Sequence, residues 1–396
     1  MNKGRSVFVL VLLMLVLGSN VLLADVKITA YLYPRDVQIE TEVTAKLLTD
    51  LNLHLGVTHQ GLMEKDSLKA DLTTYALDYS FGSTTIFAGR QSFTFGKARI
   101  NSLFFGNERA RFPHIGYEIN GKNWSYQKIY GDLAIDDNLK RLGAHYLDIT
   151  PIPELSIGIG EALITHDTFP GDYFYYALPI LPYYLANYVP GTHSTSDNSL
   201  FYGDFELRLP PTTLYGELLV TEFPMVPGAK NPDLWGITLG LETSKLVPNW
   251  VFVVEFARAQ NFLYSNSSNL RGKDTSLSIG ETPLGNPFGP DFQTVQFQAK
   301  REWEQGLDLE AGVFYRALGE SNVTWWYKNR QEYEENRFLA GTPEYQIGMK
   351  TNLAYPIVEN MVASFDLEVA RANNYKHQEG KTGYYYAAII TAHWKF

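Results

Sequence analysis

The sequence predicts an all-β fold: a transmembrane antiparallel up-and-down β-barrel of about 18 strands behind an N-terminal signal peptide. Three observations predict this class. Apolar and polar residues alternate with a period of two along most of the chain, short and long connections alternate between predicted strands, and the last strand ends on an aromatic residue. The chain has 396 residues, of which 45% are hydrophobic, which is too high a fraction for a disordered chain.

The N-terminal segment predicts export. Lys3 and Arg5 precede the apolar run Val7–Leu17, and Ala24 ends the segment just before Asp25. This is the order of regions in a secretory signal peptide, and the apolar run is too short to span a bilayer as a helix. We therefore predict a signal peptide at residues 1–24 and a single barrel domain at residues 25–396; an uncleaved anchor is the alternative.

The strands follow from the alternation. The predicted strands are 26–33, 37–46, 49–59, 69–79, 84–90, 114–120, 124–133, 140–149, 155–164, 200–209, 213–223, 234–243, 250–260, 292–303, 307–318, 342–353, 361–373 and 383–396. Glu, Gln, Thr, Lys, Arg and Gly occupy the predicted lumen face, and aliphatic and aromatic residues occupy the lipid face. Most strands have the length that a tilted strand needs to cross a bilayer.

Connection length and the C-terminus favour a bacterial outer-membrane barrel over a soluble sandwich. The connections after predicted strands 6, 8, 10, 12, 14 and 16 are short, whereas those after strands 5, 9, 13 and 15 are long, as expected for periplasmic turns and outside loops. The final strand ends at Phe396, which resembles the assembly signal of such barrels. We therefore expect outer-membrane lipids and the barrel-assembly machinery as partners. The alternative is a sandwich strand that happens to stop there.

Composition excludes several function classes. The chain has no Cys, so thiolate metal sites, disulfide scaffolds and cysteine nucleophiles are ruled out. Its 33 basic and 43 acidic residues give a net charge of -10, and no basic run suggests a nucleic-acid partner. We find no hydrolase, zinc-protease or phosphate-loop motif, and we expect no enzymatic activity, cofactor or metal.

Two long connections carry aromatic clusters. The first, 165–199, interleaves tyrosines with prolines, and the second, 319–341, contains two adjacent tryptophans. Aromatic faces beside polar groups suit saccharide binding, although the same rings could simply pack the loops into a lid. The candidate glycan-binding residues are Tyr173, Tyr175, Tyr176, Tyr184, Trp325, Trp326 and Tyr327.

The connection near residues 90–113 is unusually basic. It is too long for a tight turn and too apolar for a solvated loop, so we expect it to fold inward and narrow the lumen. The candidate constriction residues are Arg90, Lys97, Arg99, Arg109 and Arg111. Such a constriction would favour anionic solutes or acidic glycans. Alternatively, carboxylates on the wall neutralise these charges.

Four stretches resemble the Wzi-type capsule-assembly proteins. They are Gly89–Glu118, Ser196–Pro210, Leu214–Phe223 and Pro283–Asp291. The resemblance implies an eighteen-stranded outer-membrane barrel that acts as a lectin and retains capsular polysaccharide at the cell surface. The best-known members are longer and carry a periplasmic helical bundle, for which this chain has no suitable segment.

Two hypotheses about function follow. The first is a non-enzymatic outer-membrane barrel that binds an extracellular, capsular-type polysaccharide through its outside loops. The second is a diffusion porin whose basic constriction is formed by residues 90–113.

Overall fold

The computed structural model describes residues 22–33, 36–62, 68–134, 140–165, 183, 198–222, 234–265, 274–325, 330–335 and 337–395. Among these residues, no helix is long and apolar enough to cross a membrane.

Eighteen antiparallel strands form one closed barrel. Each barrel strand pairs with the next one along the chain, and the first strand also pairs with the last, which closes the sheet and leaves no edge. The barrel strands are β1 (Leu22–Tyr33), β2 (Asp36–Leu48), β3 (Leu51–Leu62), β4 (Leu68–Phe81), β5 (Thr84–Gln91), β6 (Phe112–Asn120), β7 (Trp124–Asp132), β8 (Arg141–Ile152), β9 (Leu155–Thr165), β10 (Asn198–Leu209), β11 (Thr212–Glu222), β12 (Leu234–Thr243), β13 (Val251–Ala259), β16 (Phe292–Glu302), β17 (Asp308–Leu318), β18 (Glu344–Val358), β19 (Met361–Asn373) and β20 (Thr382–Lys395).

The predicted fold class and strand count are confirmed. All eighteen predicted strands overlap an observed barrel strand, and the longest connections all lie at one end of the barrel. By the general rule for outer-membrane barrels, the end with short turns faces the periplasm and the other end faces outside. Strand β1 begins at Leu22, three residues before the predicted start of the barrel domain at Asp25. The signal peptide remains a prediction.

Three small elements lie within the outside connections. A two-stranded hairpin, β14 (Ser278–Ile279) with β15 (Thr282–Pro283), interrupts the connection between β13 and β16. Helix α1 (Arg330–Glu335) lies between β17 and β18, and a single turn at Tyr375–His377 precedes β20. None of these was predicted, because elements of two to six residues are too short to show a periodic pattern.

The expected division between a polar lumen face and an apolar lipid face is wrong in two places. On the lumen side of β7–β9, Ile129, Ala144 and Ala162 are fully buried in an apolar cluster. On the outer side of the same strands, Lys128 and Glu161 are only 5% and 4% exposed. In both places another part of the chain covers the wall, so the face of a strand does not by itself decide whether its side chains meet water, lipid or protein.

Candidate functional site

The connection between β5 and β6 folds into the lumen from the outside end of the barrel and packs against the wall. We call residues 92–111 the lumen plug. The plug turns back on itself through a bridge between Phe95 and Phe105, and all its phenylalanines and Leu103 are buried. Phe104 stacks on Tyr202 of β10 with ring centroids 4.7 Å apart, and Phe95 stacks on Tyr146 of β8 at 5.3 Å. The plug is therefore part of a packed core inside the barrel.

This core extends from the plug to the wall and to the other outside connections. It holds side chains from strands β5–β10, β11, β13 and β16 and from connections 260–291 and 319–343. Its largest fully buried members are Leu103, Phe104, Phe105, Phe112, Ile129, Leu133, Leu142, Tyr264 and Phe292. Dense packing of this kind leaves no room for water within the core itself, on the side of the lumen lined by β5–β11, β13 and β16.

Two wall carboxylates hold the plug backbone. Glu217 of β11 accepts hydrogen bonds from the main-chain N–H groups of Ala98 and Leu103, at 2.8 and 2.9 Å. Glu255 of β13 accepts hydrogen bonds from the main-chain N–H groups of residues 99, 100 and 101, at 2.7–3.2 Å. The two carboxylates are 2% and 0% exposed. Because buried N–H groups need acceptors, each carboxylate satisfies plug donors that have no strand partner.

The Asn101 side chain and the hydroxyl of Tyr215 add to the same contact. Asn101 Nδ2 donates to Glu255 Oε1 at 2.9 Å, and Tyr215 donates to Glu255 Oε2 at 3.0 Å. Thr238 of β12 donates in turn to the main-chain oxygen of Asn101 at 2.9 Å. Three neighbouring strands thus fix one short stretch of the plug.

Gly96 gives the plug the close approach that this contact requires. Its φ angle of 104° lies in a region that residues with a side chain rarely adopt. A Cβ atom there would collide with the hydroxyl of Tyr202 and with the carboxylate of Glu217. Only glycine fits at this position without displacing the wall.

Three of the five candidate constriction residues are paired with wall carboxylates. Lys97 pairs with Asp148, and Arg111 pairs with Glu40 and, at 3.2 Å, with Glu42. Arg99 lies 2.6 Å from Glu206 and 3.4 Å from Glu242, over the ring of Tyr215. These contacts correspond to the neutralised arrangement that the sequence left open as an alternative.

The other two basic residues lie near the ends of the plug. Arg90 Nε donates to the main-chain oxygen of Arg111 at 3.4 Å. Arg109 is an exposed residue whose guanidinium lies 5.8 Å from the ring centroid of Tyr31. The structure therefore gathers all five basic residues at or beside the lumen plug, each in a different local setting.

A buried lysine fastens the connection that carries the hairpin. Lys140, just before β8, is 4% exposed, and its ammonium donates to Asp274 at 2.8 Å and to the main-chain oxygen of Ser278 at 2.8 Å. Burial lowers the pKa of Lys140, and the Asp274 charge opposes that effect. Burial would raise the pKa of Asp274, but Lys140 and Ser276 outweigh it and lower that pKa.

Asp291 joins two outside connections just before β16. Its carboxylate accepts main-chain N–H groups from Leu339 at 2.6 Å, Ala340 at 2.9 Å and Ser321 at 3.4 Å. Asp291 is fully buried and has a φ angle of 62°. Burial raises its pKa above the ordinary value for Asp, although the three donors act in the opposite direction. The outside connections are thus tied to one another as well as to the plug.

Of the candidate glycan-binding residues, the structure places only Trp325. Its side chain is 36% exposed, and its main-chain N–H donates to the main-chain oxygen of Asn322 at 3.1 Å. The remaining six candidates, Tyr173, Tyr175, Tyr176, Tyr184, Trp326 and Tyr327, lie outside the described residues. No group of three His, Asp or Glu side chains suited to a metal ion occurs in the part of the chain that is described.

Sequence reasoning missed the residues that organise this site. Glu217 and Glu255 occupy lumen positions of predicted strands, so the alternation indicated their face but not their partners. Asp291 ends the Wzi-like stretch Pro283–Asp291 and Lys140 lies just before β8, but nothing in either local sequence indicates the partner of the side chain. The nearest signal in the sequence is a carboxylate at a lumen position together with a long connection that contains glycine. Only the three-dimensional structure shows which carboxylate contacts that connection.

Comparison with known proteins gives a fold relationship. No protein-family profile matches the chain, and no curated protein matches it. Among solved structures, it resembles Wzi of Escherichia coli, described as an outer-membrane protein involved in group 1 capsule assembly and as a carbohydrate-binding β-barrel. The TM-score is 0.67 and the identity 14%, over 94% of this chain and 85% of that chain.

Two barrels of Pseudomonas aeruginosa are also similar. The outer-membrane protein OprD has a TM-score of 0.54 and 10% identity, over 96% of this chain and 94% of that chain. OccK5 has a TM-score of 0.54 and 9% identity, over 94% and 97%. At such low identities these likenesses establish the fold and leave the function open. With its closed eighteen-stranded sheet, the chain has the fold of the β-barrel proteins of the bacterial outer membrane.

Proposed function

We propose that this protein is a non-enzymatic outer-membrane barrel that binds an extracellular, capsular-type polysaccharide through its outside connections. The packed core that the plug forms with the wall and the outside connections is the observation that carries the proposal. The plug and the connections around Asp291 form a fixed surface at the mouth of the barrel, and Trp325 is exposed beside them. A surface held by such contacts, with the exposed ring of Trp325 beside it, suits saccharide binding because little ordering cost remains on association.

The likeness to the carbohydrate-binding barrel Wzi supports the same proposal at the level of the fold. The aromatic residues of the two long connections would supply the saccharide contacts, with Trp325, Trp326 and Tyr175 as the first to test. Barrel assembly through the C-terminal strand would deliver the protein to the outer membrane.

Retention of labelled capsular-type polysaccharide by cells tests the proposal. Cells making the triple variant Trp325→Ala, Trp326→Ala, Tyr175→Ala should retain less polysaccharide than cells making the unchanged protein. Trp124→Ala, at the periplasmic end of the wall and 44% exposed, is the matched control and should retain polysaccharide normally. If the unchanged protein binds no polysaccharide, the proposal is wrong.

A diffusion porin is the second candidate, favoured by the basic side chains on the plug and by the water-exposed charges of the periplasmic half of the lumen. Current across a planar bilayer separates the two. The packed core predicts no steady current from the unchanged barrel, whereas a variant with residues 93–110 replaced by a short Gly-Ser linker should conduct. A large steady current that becomes less anion-selective in Arg99→Ala and Arg109→Ala would favour the porin instead.

A further inference from the structure

Three polar side chains lie in register on the outer wall of the barrel. Lys128 of β7 pairs with His145 of β8, and His145 pairs with Glu161 of β9, so all three point to the same face of the sheet. That face is the outer one, because it also carries Ile159, which is 61% exposed. The intervening residues on the other face, including Ala162, are buried in the lumen core.

This position is unusual for charged groups. The lipid face of a membrane barrel is apolar, and a charge placed there is destabilising in a manner that depends on its depth. Lys128 and Glu161 lie four residues inside the outer ends of their strands, yet they are only 5% and 4% exposed. Another part of this protein therefore covers them, in place of lipid or water.

Tyr183, from the connection between β9 and β10, lies on this polar row. Its main-chain N–H donates to Glu161 Oε2 at 2.6 Å. Its ring stacks on His145 with ring centroids 4.7 Å apart, and the Lys128 ammonium lies 5.5 Å from the centroid of the Tyr183 ring. Each residue of the row therefore makes a specific contact with Tyr183, which is itself only 1% exposed.

The wall around the row is shaped to receive the ring. Leu163 packs against Tyr183 in a cluster separate from the lumen core. Gly143 lies beneath the ring, and a Cβ atom there would be 2.9 Å from the Tyr183 hydroxyl. The binding site for Tyr183 on the outside of the barrel thus has three parts. A glycine lies below the ring, a leucine lies beside it, and a carboxylate accepts the main-chain N–H of Tyr183.

We propose that Lys128, His145 and Glu161 form a polar docking site on the outer wall, and that its occupant is Tyr183 of the same chain. The β9–β10 connection is thereby fixed to the outside of the barrel at residue 183. Resting on the proposed function, Tyr183 is also a positioning residue for saccharide contacts made by this connection, since Tyr184 follows it directly.

Photocrosslinking in outer membranes tests the docking site without any saccharide. Tyr183→p-benzoylphenylalanine keeps an aromatic ring and the main-chain N–H. Mass spectrometry should locate its crosslinks on the outward residues Gly143, His145 and Leu163. Crosslinks to their lumen-facing neighbours Ala144, Ala162 and Ile164, or no crosslink within the chain, would overturn the proposal.

The carboxylate provides the second measurement. Glu161→Ala should reduce the outward crosslink at least about fivefold, because it removes a buried charged acceptor. Glu310→Ala, which removes a lumen carboxylate paired with Lys300 at 3.0 Å, is the matched control and should leave the yield unchanged. An equal loss of crosslink yield in both variants would contradict a specific docking site for Tyr183. Polysaccharide retention, measured separately in Glu161→Ala, tests the positioning role alone.

Discussion

The two halves of the lumen use charged residues differently. In the outside half, Glu217 and Glu255 are buried and accept main-chain N–H groups from the plug. In the periplasmic half, the charged side chains meet water and pair with one another: Lys300 lies 3.0 Å from Glu310, with side chains 39% and 30% exposed. The buried carboxylates at the plug contribute strongly to stability, because a buried N–H group left without its acceptor is costly. The charges of the periplasmic half contribute little, because water replaces a lost partner.

The largest contrast is expected for the side chains that fill the two halves. Phe104 is fully buried and stacks on Tyr202, so Phe104→Ala should lower the free energy of unfolding by about 3–5 kcal/mol. His54→Ala, in the periplasmic half with its side chain 32% exposed, should cost under about 1 kcal/mol. Thermal unfolding of the detergent-solubilised barrel measures both, and equal losses would show that the plug adds no packing energy.

A smaller contrast is expected for the carboxylates. Glu255→Gln weakens the acceptor for three main-chain donors, the Asn101 amide and the Tyr215 hydroxyl, which we expect to cost about 1.5–3 kcal/mol. Glu242→Gln loses one long contact to Arg99 at 3.4 Å and should change stability by under about 1 kcal/mol. Chemical unfolding of the two variants side by side checks the order, and the reverse order would refute the assigned role of Glu255.

The smallest expected effect is the pH dependence of stability that Asp291 contributes at the outside end of the barrel. Because burial raises the pKa of Asp291, the folded protein holds its proton more tightly than the unfolded chain does. Stability contributed by this group is therefore present below its unfolded pKa of about 4 and is lost as pH rises through the raised folded value. Asp291→Asn keeps an acceptor oxygen and removes the titration.

The melting temperature of the unchanged protein should accordingly fall further between acidic and neutral pH than that of Asp291→Asn. The same slope in both proteins would assign the pH dependence to other groups. Asp291→Asn alters only the outside end of the barrel. A difference in pH dependence between the two proteins therefore comes from the outside connections and not from the charges of the periplasmic half.

Prediction from sequence succeeded for the strands because the alternation that identifies a strand is visible in a few consecutive residues. The predicted strand 292–303 is observed as Phe292–Glu302, and 213–223 as Thr212–Glu222. Side chains alternate between faces with a period of two, so a few consecutive residues suffice to identify a strand. The inward direction of the plug was also predicted, from its length and apolar content.

The sequence did not predict which wall residues contact the plug. Asn101 and Glu255 are separated by 154 positions, and Lys97 and Asp148 by 51. Asp148 and Glu255 have the same local pattern as other lumen residues of the strands, and Lys97 and Asn101 lie in an irregular connection, so only the folded barrel selects which carboxylate meets which donor. The same holds for Glu161, whose docking site for Tyr183 looks in sequence like an unexplained charge on an apolar face.

The sequence by itself determined the barrel: period-two alternation and the parity of connection lengths together specify many antiparallel strands with long connections at one end. The tertiary structure decided what fills and covers that barrel. Whether a wall residue meets the plug, water, lipid or Tyr183 depends on chain segments far away in sequence, and burial by those segments sets the energetic weight of every charge on the wall.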